Sequence, residues 1–379
     1  MDFALSAEQS LIYETAHAFG QEHIAPYAQQ WEAQGTIPKT LWPLLAQLGF
    51  GGLYVAEAHG GSALSRLEGT LVFEALAASC PSVAAFLSIH NMCGSMIDRF
   101  GTAENKHRWL PSLCRMEKIF SYCLTEPGAG SDAAALRTRA QRTNTGYRLN
   151  GAKAFISGGG YSDAYLTMVR TGGDGARGIS SVVIERGTQG LSFGAQENKM
   201  GWRAQPTTQV QFDDCDIAFD NRIGEENKGF AYAMAGLDGG RLNIAAASLG
   251  AAQSALNTTL AYMAQRHCFG QPINRFQALQ FRLAEYETRL QAARVFLRQA
   301  AWKLDGAAAE ASQFCAMAKL MVTDAAFDVA NGCLQLHGGY GYLADYGIEK
   351  IVRDLRVHQI LEGTNEIMRL IIARHMLSA

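Results

Sequence analysis

Tyr122-Cys-Leu-Thr-Glu-Pro-Gly-Ala-Gly-Ser-Asp132 is the stretch on which the fold turns. Its apolar, β-prone start passes into proline, two glycines, a hydroxyl and a carboxylate, the pattern of a strand entering a glycine-rich turn. It also marks a change of texture. Residues 1–118 read as a helical domain: Ser6-Ala-Glu-Gln9 is a capping box ahead of apolar Leu11, Ile12, Ala16 and Phe19, and Ser82 to Arg99 is a second helical run stopped by Gly101. Residues 119–225 read as short strands, Tyr147–Leu149, Ala164–Val169, Ile179–Ile184 and Thr208–Phe212. Turn signals at Asn144-Thr-Gly146, Asn150-Gly151 and Gly172-Gly-Asp-Gly175 separate them, which predicts an antiparallel barrel or sandwich. In residues 226–379 long helical runs return, about 228–265, 274–304, 308–336 and 364–377, and predict a four-helix, up-down bundle. The expected class is α+β, in three domains.

Composition narrows the function. A chain of 379 residues exceeds one compact core, and with 48% apolar and 18% charged residues it predicts a large core or an extensive subunit interface. A formal charge of −2 offers no field for nucleic acid or an anionic membrane. The eight cysteines (80, 93, 114, 123, 215, 268, 315 and 333) form no Cys-x-x-Cys, so scattered buried thiols are expected. No His-Glu-x-x-His or His/Cys cluster suggests a metal, and no Gly-x-Ser-x-Gly elbow suggests a hydrolase. The start, Met1-Asp-Phe-Ala-Leu-Ser, has neither a basic nor an apolar targeting region, and no apolar run is long enough to span a bilayer. A soluble cytoplasmic protein is the expectation.

A second stretch, Leu361-Glu-Gly-Thr-Asn-Glu-Ile-Met-Arg369, sets a carboxylate on the turn that opens a helix. Both Gly128–Ala133 and Gly339–Ala344 fit a loose Gly-x-Gly-x-x-Ala fingerprint. Neither lies in a βαβ unit, which excludes a Rossmann dinucleotide site.

The two stretches together, and most of the chain from Leu5 to Arg374, resemble the acyl-CoA dehydrogenase family. The resemblance implies FAD, an acyl-CoA substrate and removal of two hydrogens from adjacent carbons. The α-hydrogen leaves as a proton and needs a base; the β-hydrogen leaves as a hydride and needs a redox cofactor. The thioester carbonyl needs donors to stabilise developing negative charge. Glu362 aligns with the family's catalytic carboxylate, and burial beside substrate and flavin should raise its pKa. Some relatives place the base on an earlier helix; here that position is Gly240.

By the same resemblance, Tyr122, Leu124 and Thr125 contact the flavin, and Ser131 reaches both flavin and thioester. Phe155, Ile156 and Ser157 cover the flavin face, with Phe155 where many members carry Trp. Arg266, Phe269, Phe276 and Gln277 resemble the stretch binding the FAD pyrophosphate and adenosine, and arginine suits bidentate phosphate contact. Gln335, His337, Gly338 and Gly339 resemble a loop lent by a neighbouring subunit, which implies a homotetramer. Thr364, Asn365 and Glu366 resemble a further FAD contact, although Glu366 by itself reads as a solvated helix residue. Asp238, Gly239, Gly240, Arg241, Gly363 and Arg374 resemble the substrate contacts, largely to CoA.

Ser88–Cys93, Ala164–Leu166, Gly338–Tyr342 and His358–Asn365 resemble the branch that converts isobutyryl-CoA to methacrylyl-CoA in valine breakdown. The small pair Gly94-Ser95 is expected to deepen the acyl pocket. The competing readings are a short-chain or 2-methylbutyryl-CoA dehydrogenase, an acyl-CoA oxidase, and a DNA-binding flavoprotein relative, which calls for a basic face this chain lacks. Electron-transferring flavoprotein is the acceptor the family implies.

Overall fold

The computed structural model describes residues 4–377. Met1-Asp-Phe3, read above for targeting signals, and residues 378–379 lie outside the described residues. Six helices come first: α1 (Ala7–His23), α2 (Ala28–Gln34), α3 (Leu41–Gln47), α4 (Arg66–Ala77), α5 (Pro81–Phe100) and α6 (Ala103–Cys114). Their starts follow the local chemistry. Ser6, Ser65 and Thr102 each form a capping box with the residue three further on, and Pro81 occupies the first turn of α5.

Next come β1 (Phe120–Cys123), β2 (Arg139–Arg142), β3 (Gly146–Ser157), β4 (Ala164–Arg170), β5 (Ile179–Glu185), β6 (Leu191–Phe193), β7 (Thr207–Ala218) and β8 (Arg222–Ile223). They form one sheet in the order β6-β7-β3-β2-β4-β5-β8, with β1 also on β4. Neighbours are antiparallel except β1 and β2, which both run parallel to β4. β1 pairs Phe120–Cys123 with Ala164–Thr167 and β2 pairs Arg139 with Arg170, so the two lie end to end along one edge of β4. The glycine-rich stretch is therefore an excursion, residues 124–138, that leaves one side of β4 and returns to it. Asn150-Gly151, expected as a turn, is instead an irregularity within β3, where pairing shifts between Leu149 and Gly151. Glycine there takes φ 144°, conformation available without a Cβ.

The last part holds α7 (Gly229–Gln265), a small hairpin of β9 (His267–Cys268) and β10 (Gln271–Pro272), α8 (Gln277–Asp305), α9 (Ala311–Leu336), α10 (Ile348–Arg356) and α11 (Asn365–Leu377). α7 packs against α8 and α9, and also against α4 and α5 of the first part. Buried residues of both helical parts form one continuous core, including Phe73, Leu76, Leu249, Leu297 and Val322. The reason is legible in α7: from Gly239 to Ala252 every residue is buried, so the helix has no solvent face there. Small side chains let the neighbours close in, and a Cβ on Gly250 would lie 1.9 Å from the Glu74 carbonyl of α4. Seven of the eight cysteines are buried, and all eight are unpaired thiols. Among the described residues no helix is long and apolar enough to cross a membrane.

Candidate active site

The sheet, α5, α7 and α11 enclose a cavity of about 760 Å³. Its walls bring together Tyr122, Leu124, Thr125 and Ser131 from β1 and the excursion, Phe155, Ile156 and Ser157 from the end of β3, Arg241 from α7, Glu362 and Gly363 from the turn before α11, and Arg374 from α11. Thus residues 240 apart in sequence face one space. Ile89, Met92, Leu237 and Ile244 add apolar wall.

The excursion is held by charge. Glu126, buried, accepts hydrogen bonds from the backbone N–H of Arg137 (2.6 Å) and Thr138 (2.9 Å) and pairs with Lys153 Nζ at 2.8 Å. Burial opposes the Glu126 charge, but Lys153 and these donors outweigh it and hold the carboxyl below its usual range. Lys153 also donates to the Leu124 carbonyl at 3.1 Å. At the far side Arg170 donates to the carbonyls of Leu136 (2.9 Å) and Ala134 (2.8 Å). The backbone between Leu124 and Leu136 is therefore pinned at both ends, with Thr125 and Ser131 between the pins.

Directly after Lys153, β3 breaks register against β7, and Phe155 takes a left-handed φ of 58°. This aromatic stays 68% exposed at the cavity rim. A strained backbone that turns a large apolar ring outward suits a ring waiting to cover a planar ligand. Ser157 Oγ accepts from the Gln205 amide.

Glu362 also sits at a left-handed φ, 56°, followed by Gly363 at 88°. Two such residues reverse the chain, and Thr364 Oγ1 then accepts from Ile367 N (3.3 Å) as α11 begins. Burial pushes the Glu362 carboxyl up to about 7, against the opposing pull of Arg241 and Lys319. Arg241 donates to the Glu362 carbonyl (3.3 Å) and to Asp238 Oδ1 (2.6 Å). A Cβ on Gly240 would fall 2.7 Å from Glu362 Oε2, so a side chain there and the Glu362 carboxylate exclude each other. The structure supplies the steric reason for the glycine.

Three buried side-chain atoms near this cavity have no hydrogen-bond partner: Tyr122 Oη, Glu362 Oε2 and Gln205 Oε1. Such orphans are costly unless a ligand completes them. The mixture of an apolar chamber, an outward aromatic and unsatisfied polar atoms fits a flavin and a thioester.

Several expected site residues are placed differently. Asn365 is buried and turned toward α9: its Nδ2 donates to Thr323 Oγ1 (3.1 Å) and Asp324 Oδ1 (2.7 Å), while its Oδ1 accepts from Lys319 (2.8 Å). Its amide is committed within the chain, not offered to FAD. Glu366 is exposed, 3.5 Å from Arg369. Asp238 is occupied by Arg241 and by Ser312 Oγ at 3.0 Å, so it orients an arginine instead of facing ligand. Gly239 packs on Arg66, where a Cβ would meet the guanidinium at 2.4 Å. Gly94 and Ser95 do not line the cavity: a Cβ on Gly94 would meet Leu113 at 2.9 Å, and Ser95 Oγ accepts from Arg66 at 2.7 Å.

Arg266, Phe269, Phe276, Gln277, Gln335, His337, Gly338 and Gly339 form a separate cluster beyond the end of α7. Arg241 and Arg266 are roughly 37 Å apart at the rise of an α-helix, too far to line one chamber. There the His337 ring stacks on Tyr262 at 4.3 Å, and its Nδ1 bonds the Cys333 carbonyl (2.9 Å), so the imidazole shapes the loop. Arg266 lies over the Tyr340 ring at 5.4 Å, and Phe269 is 95% exposed.

Sequence reading missed Trp202, Gln205 and Lys319. Trp202 lines the cavity at a φ of 53°, with its Nε1 3.1 Å from His358 Nε2. Lys319 carried a visible signal: a lone charge in the apolar run Ala316-Met-Ala-Lys-Leu-Met-Val322.

Residues 6–117, 121–215 and 227–377 match the N-terminal, middle and C-terminal domains of acyl-CoA dehydrogenase. The chain belongs to the acyl-CoA dehydrogenase family of FAD-dependent oxidoreductases. It is 52% identical to a mitochondrial isobutyryl-CoA dehydrogenase of Bos taurus, over 98% of this chain and 90% of that one. It is 50% identical, over the same shares, to the Dictyostelium discoideum protein of that name. Butyryl-CoA dehydrogenase from Megasphaera elsdenii superposes with a TM-score of 0.96 at 36% identity, covering 100% of both chains.

Proposed function

We propose that this protein dehydrogenates isobutyryl-CoA to methacrylyl-CoA, the step that valine breakdown requires. One observation carries the chemistry: a carboxylate with a buried, unpartnered oxygen, Glu362, faces the strand and excursion across an apolar chamber. Glu362 takes the α-proton, and burial gives it the proton affinity that a base at neutral pH needs. FAD, held against Tyr122, Leu124, Thr125, Phe155 and Ser157, supplies the acceptor for the β-hydrogen. Arg241 steadies the turn carrying the base, and Ser131, in the excursion's wall of the cavity, is the proposed contact to the thioester. The acyl chain is assigned from Ser88–Cys93 and His358–Asn365 and from the two relatives named for isobutyryl-CoA.

Anaerobic mixing of the FAD protein with a panel of acyl-CoAs, followed by loss of oxidised-flavin absorbance, tests this reading. Isobutyryl-CoA should reduce it among the fastest and octanoyl-CoA slowly. If octanoyl-CoA is best, the isobutyryl assignment fails and the dehydrogenase assignment stands.

A homotetramer is part of the proposal. The cluster at Arg266–Gln277 and Gln335–Gly339 stands apart from its own chain's cavity, as expected of a surface that completes a neighbour's FAD site. Exposed Phe269, Phe281 and Tyr342 give it an apolar surround. Electron-transferring flavoprotein is the proposed acceptor, by family resemblance.

A further inference from the structure

Lys319 is the single lysine of α9 and is completely buried. Its Nζ donates to the Gly363 carbonyl (2.8 Å) and to Asn365 Oδ1 (2.8 Å). On the opposite side, Arg241 of α7 donates to the Glu362 carbonyl at 3.3 Å. Two consecutive carbonyls, of the two left-handed residues that present the carboxylate, are thus gripped by cations from two different helices. A neutral amide would satisfy a carbonyl as well. A buried ammonium is costly: burial brings the proton affinity of Lys319 down to about 7 even with the Glu362 carboxylate pulling it up, so the ammonium is held where Glu362 is ionised beside it and the two titrate as a pair. Its charge therefore asks for a purpose beyond the hydrogen bond.

We infer that Lys319 is a positioning residue for the reaction: it holds the Glu362-Gly363 turn and supplies a buried positive charge that keeps the Glu362 carboxylate available as a base. This rests on Glu362 being the base. Burial drives the Glu362 carboxyl toward its neutral form, and the two cations Arg241 and Lys319 oppose it. Arg241 spends part of its field on Asp238, 2.6 Å away. Both oxygens that Lys319 grips are neutral, so its field is left for Glu362. The other charged or titratable groups that bear on this pair are Tyr122 of β1, Asp324 of α9, Glu366 of α11 and His358 before the turn. Glu366 is solvent-exposed, Asp324 is bonded to Asn365 and Gln359, and burial keeps the Tyr122 hydroxyl and the His358 imidazole uncharged.

The test is the pH dependence of flavin reduction in an anaerobic single turnover. It uses the FAD holoprotein, the acyl-CoA that reduces it fastest, and wild type against Lys319→Met and Lys319→Arg. Without the charge, the ionisation limb should move to higher pH by about one unit or more. The rate at neutral pH then falls about tenfold while the alkaline plateau changes little, and Lys319→Arg returns the limb toward its wild-type position. Lys319→Gln keeps an N–H donor for the Gly363 carbonyl and carries the same expected shift, should the methionine variant not retain FAD. A limb that stays in place in either uncharged variant, with rates lowered uniformly or unchanged, overturns the inference and leaves Lys319 a packing residue. Failure of every acyl-CoA to reduce the wild-type protein would instead refute the proposed function, before any variant is compared.

Discussion

Glu362 and Gly240 define the residue scale, because each determines what the other can be. Glu362→Gln should retain FAD and bind acyl-CoA yet lose about 10²–10⁴-fold in flavin-reduction rate, since an amide takes no proton. The same substitution has a stability signature. The folded carboxyl has a pKa of about 7 against an ordinary 4.5, so the folded chain keeps a proton that the unfolded chain has released. Its contribution is fully present below the ordinary value and is lost as pH rises through 7. Glutamine has no such loss, so Glu362→Gln should gain on wild type by on the order of 1–3 kcal/mol on going from acid to mildly alkaline pH. Thermal melts of both proteins at two pH values check it. Gly240→Ala makes the complementary point. Its new methyl meets the flexible end of Glu362 and no backbone, so the fold and FAD content should survive. The displaced base should cost about 10²-fold in kcat/KM for the same acyl-CoA.

At the scale of elements, the decisive one is the excursion between β1 and β2. The sequence there reads correctly as strand into turn, but composition says nothing of what holds a fifteen-residue departure from a sheet in place. The Lys153–Glu126 pair does, together with Arg170. Lys153→Met would leave Glu126 buried without its cation, a change that costs about 3–5 kcal/mol in comparable pairs. A lower melting temperature and faster FAD loss are expected, measured by differential scanning calorimetry and by flavin fluorescence on dilution. Adding Glu126→Gln should recover part of the loss, because it removes the stranded charge; no recovery would assign the effect to packing alone.

For the whole molecule, the core shared by the two helical parts matters more than the three-part division. α7 is clasped by α4, α5, α8 and α9, and two points along it carry different work: Arg241 in its interior beside the base, and Arg266 just past its C-terminal end in the exposed cluster. If that cluster completes a neighbour's FAD site, Arg266→Glu should weaken FAD retention at least tenfold while leaving the chain's own cavity intact. Equilibrium dialysis for FAD and analytical ultracentrifugation for the assembly check this. A monomer that holds FAD as tightly as the wild-type protein does would sink the tetramer proposal.

Periodicity alone located the long helices to within a few residues, since buried faces impose 3.6-residue spacing on sequence. It located β4 and β5 for the matching reason, and resemblance to the family singled out Tyr122–Asp132 and Glu362. What it did not contain was pairing across distance. The parallel setting of β1 and β2 on β4, the bulge that replaces the Asn150-Gly151 turn, and the short α10 depend on neighbours that no local window includes. The same holds for Asn365 turned toward α9, Ser95 drawn to Arg66 and Lys319 clasping Gly363. The sequence by itself determined the elements, the family and the candidate base. Only the tertiary structure decided which buried charges face one another, because the cost of burying a charge is set by partners that folding alone brings within reach.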